Sequence, residues 1–121
     1  MVLLNKREMF QGRFCALEYR LDSRTEPSSL QGRIILIVIE TATADLRLLI
    51  DPRWEEFVKP EDHSYLSALW RGLKERVPIA PGSVFGQLMS LSVGPLAVRE
   101  TGAALEDNPT LWNLASEFDE L

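Results

Sequence analysis

Residues Ile34–Ile39, IILIVI, are six apolar residues in a row, and five of them are β-branched. β-branched side chains are stiff at χ1 and fit a pleated surface better than a helix. An unbroken apolar run of this kind belongs to a strand buried on both faces rather than to one half in water. A second short run, Leu46–Ile50, follows after Ala42-Thr43-Ala44-Asp45. The pair predicts two antiparallel strands, at 33–41 and 46–51, with the first at the centre of the fold. Pro52 ends the second, because proline cannot donate to a ladder.

Upstream, Cys15, Leu17, Tyr19 and Leu21 alternate with Ala16, Glu18 and Arg20. A period of two predicts a strand over 13–21 with one face on the core and one in water. Phe14 breaks the alternation and places a bend after Gly12. Residues 22–32, DSRTEPSSLQG, have the chemistry of a polar loop. Residues 1–11 fit a short helix or a strand equally well.

Downstream, Trp54, Phe57 and Val58 are spaced as on a helix. Pro60, Glu61 and Asp62 then suit a helix start, where a missing N–H costs nothing and acids favour the positive end of the dipole. Leu66, Leu69, Trp70, Leu73 and Val77 form one apolar stripe, with Lys74 and Arg76 at the opposite end of the dipole. Pro78 stops this helix. Val84, Phe85, Leu88, Met89 and Leu91 predict a second helix over 83–91, and residues 96–100 a short fourth strand. Asn108-Pro109 opens a last helix, with a side-chain acceptor at the N-cap and proline after it. Its stripe is Leu111, Leu114, Ala115 and Phe118.

The expected fold is α+β, one domain over residues 1–121. A small, mainly antiparallel sheet of three to four strands is covered on one face by about three helices, near 60–76, 83–91 and 108–119. The length suits a single core, since a chain of this size buries roughly two thirds of its unfolded surface. A hydrophobic content of 45% with 26% charged residues argues against disorder. A sheet with one open face commonly completes its burial by pairing, so a homodimer is expected.

The net charge of −5 disfavours nucleic acid, whose affinity comes largely from Lys and Arg on phosphates. The charge is polarised: residues 100–121 carry six acids and no Lys or Arg, while residues 1–33 carry six bases against four acids. The lone Cys15 allows no internal disulfide and no cysteine-rich zinc site. No stretch approaches the roughly 20 apolar residues of a membrane span. The start, MVLLNKREMF, is too soon interrupted by charge for a signal peptide. A cytoplasmic location is expected, with no membrane, metal or cofactor.

Candidate sites divide into two sets. His63 lies between Asp62 and Ser64, but neighbours on a helix do not face one another, so they form no triad. Cys15 falls on the apolar side of its strand, where a thiol is inert packing rather than a nucleophile for His63. Glu40, Asp45 and Asp51 lack the spacing of a calcium loop or a carboxylate pair. Pro81-Gly82-Ser83 opens a helix without the pattern of a nucleotide phosphate loop. No catalytic residue is assigned.

The segment LWNLASEFDEL is more informative. It sets Leu111, Trp112 and Phe118 beside Glu117, Asp119 and Glu120, three acids in a last helical turn where the dipole disfavours them. This helix either caps the sheet or offers its aromatic, acidic side to a basic groove on a protein partner or a second copy. The first functional expectation is therefore a non-catalytic intracellular interaction module of the adaptor, inhibitor or immunity type. The alternative is a small-molecule binder or small enzyme with a pocket between sheet and helices, lined by Tyr19, Glu40, Trp54, His63 and Arg71.

Overall fold

The Ile34–Ile39 run forms the body of a strand, Arg33–Glu40 (β2), and every residue of the run is buried. A computed structural model describes residues 12–20, 32–41, 43, 45–93 and 95–121. The expectations for residues 1–11 and for 22–31 lie outside the described residues. β2 pairs antiparallel with Arg13–Tyr19 (β1) on one side and with Leu46–Ile50 (β3) on the other. Beyond β1 come Leu96–Gly102 (β5) and the two-residue Ser92–Val93 (β4); beyond β3 comes Asp119–Glu120 (β6). The six strands lie in the order β4-β5-β1-β2-β3-β6, and every pairing is antiparallel.

The α+β class, the antiparallel sheet and its principal strands are as the sequence predicts. The additional strands, β4 and β6, are each two residues long, too short to carry a period.

Among the described residues there are four α-helices: Trp54–Phe57 (α1), Pro60–Arg76 (α2), Pro81–Met89 (α3) and Pro109–Glu117 (α4), the last preceded by a 3₁₀ turn at Leu105–Asp107. α2 has proline in its first turn with Glu61 and Asp62, carries Lys74 and Arg76 in its last, and buries Leu66, Trp70 and Leu73.

The helices divide between the two faces of the sheet. On one face Cys15, Leu17, Tyr19, Leu36, Val38 and Leu48 pack with Leu66, Trp70 and Leu73 of α2 and Val84, Phe85 and Leu88 of α3. On the other, Phe14, Ala16, Ile37, Ile39 and Leu49 pack with Leu105, Leu111 and Ala115. This corrects the expectation that all the helices share one face. It also corrects the half-wetted β1, which is a central strand with Phe14 and Ala16 buried on its second side. α4 occupies the face whose exposure motivated self-association.

A register shift explains part of the continuous run in β2. Leu17 stands opposite Leu36 and Glu18 opposite Ile34, so Ile35 is an extra residue. A bulge of this kind sets two successive side chains on one side of a strand, and Ile35 and Leu36 both join the α2 side. The bend expected after Gly12 is a backbone requirement of that glycine. Its φ is 126°, and a Cβ there would stand 1.8 Å from the Glu40 carbonyl oxygen.

Candidate functional site

α4 is positioned by its own sequence at both ends. Asn108 Oδ1 accepts the Leu111 N–H at 3.1 Å, which caps the first turn, and Asn108 Nδ2 donates to Glu100 Oε1 at 2.8 Å. This fixes the helix start to β5. The last turn closes with the Phe118 N–H on the Leu114 carbonyl, after which the chain is extended. Asp119 and Glu120 stand opposite Ile50 and Leu49.

The three acids therefore do not crowd one helical turn. Glu117 ends the helix, while Asp119 and Glu120 belong to β6, because Phe118 turns the chain onto the free edge of β3. All three are exposed, and Glu120 pairs with Arg47 at 3.2 Å. Leu111 is core, 3% exposed, and is not available to a partner. Trp112 and Phe118 are half-buried and flank two separate clefts.

The first cleft, of about 450 Å³, is lined by Glu106, Asp107, Pro109, Trp112 and Asn113. It combines an indole surface with two carboxylates carried by the 3₁₀ turn. The second, of about 400 Å³, lies between the C-terminal end of α4 and the end of the β2–β3 hairpin. Leu114, Glu117 and Phe118 face Arg33, Ile34, Asp51, Pro52 and Arg53 there. Asp51 is buried; its Oδ1 accepts the Arg53 N–H at 2.9 Å and its Oδ2 meets Arg33 Nη2 at 3.4 Å. The Arg33 guanidinium also lies 4.1 Å from the centre of the Phe57 ring.

The alternative set is only partly gathered. Tyr19, Trp54 and His63 lie near one another where α1 meets α2. The Tyr19 hydroxyl donates to Asp62, His63 Nε2 donates to the Val58 carbonyl at 2.8 Å, and the His63 and Trp54 rings are 5.5 Å apart. Glu40 sits elsewhere, accepting from Arg13 at 2.6 Å, and Arg71 is exposed on α2. The space between sheet and helices is filled by Leu17, Leu36, Leu66, Leu73 and Phe85.

Glu40 and Asp51 lie at opposite ends of β3, and Asp45 sits in the turn with Thr43, so the three carboxylates do not converge. Cys15 is fully buried, and burial pushes its thiol up to about 12. A neutral, enclosed thiol is no nucleophile.

No protein-family model, curated protein or solved structure matches the chain. Sequence reasoning placed Trp112 and Phe118 but missed the cleft at Arg33, Asp51 and Arg53. The available signal was Asp51-Pro52-Arg53 directly after a buried strand. No helix among the described residues is long and apolar enough to cross a membrane.

Proposed function

We propose that the protein is a non-catalytic interaction module that docks a basic segment of a protein partner on the outer side of α4 and the preceding 3₁₀ turn. The observation that carries this is the cleft shared by Trp112, Glu106 and Asp107. An aromatic face beside carboxylates is complementary to a Lys or Arg side chain, which stacks on the ring while its charge meets the acids. Glu117, Asp119 and Glu120 extend the same sign of charge along the chain end. Such a surface steers a basic partner and makes association sensitive to salt. Within this reading Leu111 supports the helix from beneath, and Trp112 is the contact residue. The lone cysteine, without a disulfide partner, suits a reducing cytoplasmic setting.

Fluorescence anisotropy with labelled lysine- and arginine-containing peptides, beside an acidic control, tests the proposal. Specific basic peptides are expected to bind, to weaken as salt rises, and to lose about tenfold or more in affinity with Trp112→Ala or Asp107→Asn. Binding indifferent to both substitutions would overturn it. Sedimentation at micromolar concentration distinguishes a second copy from a different partner.

A further inference from the structure

We infer that the cleft between the C-terminal end of α4 and the end of the β2–β3 hairpin binds a small zwitterion: a molecule with one carboxylate, one ammonium and a compact apolar body. Its volume of about 400 Å³ lies in the range of small-molecule sites.

The charges in the cleft divide into a matched pair and an unmatched pair. Four charged residues line it: Arg33, Asp51, Arg53 and Glu117. Arg33 and Asp51 satisfy each other. Asp51 is only 7% exposed, and its two oxygens take the Arg53 backbone N–H and the Arg33 guanidinium. Arg33 is further held against the Phe57 ring. This pair is part of the wall.

The other two are unmatched. Among the described residues, neither the Arg53 guanidinium nor the Glu117 carboxylate has an ion-pair or hydrogen-bond partner, and both residues are exposed. A simple anion would gain from Arg53 but meet Glu117. A simple cation would gain from Glu117 but meet Arg53. A ligand carrying both groups gains from each, because a guanidinium presents a planar fork to a carboxylate and a carboxylate accepts from an ammonium. Ile34, Pro52, Leu114 and Phe118 supply apolar wall for the rest of the molecule. Free amino acids with apolar side chains have this chemistry.

Isothermal titration calorimetry on the full chain tests the inference with L-leucine, L-phenylalanine and γ-aminobutyrate, which differ in the spacing of their charges. Hydrocinnamate and phenethylamine are the single-charge controls. At least one zwitterion is expected to saturate the protein. Each control, and each of Arg53→Gln and Glu117→Gln, is expected to weaken binding by about tenfold or more, as for loss of a charged hydrogen bond. Both substitutions fall on exposed side chains, and circular dichroism checks that each variant is folded. Three outcomes would overturn the inference: no heat from any zwitterion at millimolar concentration, hydrocinnamate binding as tightly as L-phenylalanine, or zwitterion binding unchanged in both variants.

Discussion

The Tyr19 hydroxyl donates to Asp62 Oδ2 at 2.5 Å and accepts the Lys59 N–H at 3.2 Å, so one phenol joins the sheet to the first turn of α2. Its ring is enclosed by the core, at 6.3 Å from Phe57. Burial, then the bond to Asp62, pushes its pKa up to about 12 from an ordinary 10.0.

Replacing that hydroxyl leaves the ring in place and two polar groups without their partner. Tyr19→Phe is expected to cost about 1–3 kcal/mol, measured by urea unfolding near neutral pH. A pH dependence follows from the raised pKa. Below the unfolded value of 10.0 the phenol is protonated in both states and its contribution is intact. As pH rises from there towards about 12, the unfolded chain releases its proton first and stability falls. Tyr19→Phe should lack this component. Urea midpoints for both proteins at about pH 8 and about pH 11 check it; an identical fall in the two would refute the assignment.

Cys15 should report global unfolding. Its thiol is fully enclosed and pushed up to about 12 by burial, so native protein is expected to resist iodoacetamide at about pH 8 while urea-unfolded chain reacts readily. Labelling followed against denaturant should track the unfolding transition seen by circular dichroism. Fast labelling of native protein would show that the thiol is reached without unfolding.

Gly12→Ala is expected to be among the most damaging small substitutions. A φ of 126° is costly for any side chain, by about 1–3 kcal/mol. The added carbon would also fall 1.8 Å from the Glu40 carbonyl oxygen, which is backbone and part of the β1–β2 ladder. Thermal unfolding of the variant measures the loss. A melting temperature equal to that of the parent would contradict the geometry.

Leu111 and Trp112 are adjacent in sequence but should behave differently. Leu111→Ala empties a buried position against the second face and is expected to cost about 2–5 kcal/mol. Trp112→Ala, at a partly exposed position, should cost less stability. Deleting residues 108–121 removes α4 and β6 together, uncovers Phe14, Ala16, Ile37, Ile39 and Leu49, and should abolish cooperative folding. A truncated chain that still melts cooperatively would contradict the role of α4 as the cover of that face.

The central strand was legible because Ile34–Ile39 has no polar residue to turn outwards, and α2 because Pro60, the acids after it and the Leu66–Leu73 stripe agree. β5 was faint: after Leu96 and Ala97 it carries Arg99, Glu100 and Thr101, and its place beside β1 comes from pairing between residues about 80 apart. The stripe on α4 was clear, but the face it covers was not. That face rests on Phe14 and Ala16, and alanine marks neither inside nor outside. The Arg33–Asp51–Arg53 cleft joins Arg33 to Asp51, 18 residues away, and both to Leu114, Glu117 and Phe118, groups brought together only once the hairpin fixes which strand ends meet α4.

The strand order has a consequence for synthesis. β1, β2 and β3 are made first and can pair locally, but β1 receives its second neighbour only with β5, and the Phe14 side of the sheet is covered only with Leu105, Leu111 and Ala115. For the time the ribosome takes to translate from Ile50 to Ala115, a nascent three-stranded meander carries Phe14, Ile37, Ile39 and Leu49 without their native cover. That interval is when the chain most needs a holding chaperone, and slower decoding between β3 and α4 would lengthen the exposure.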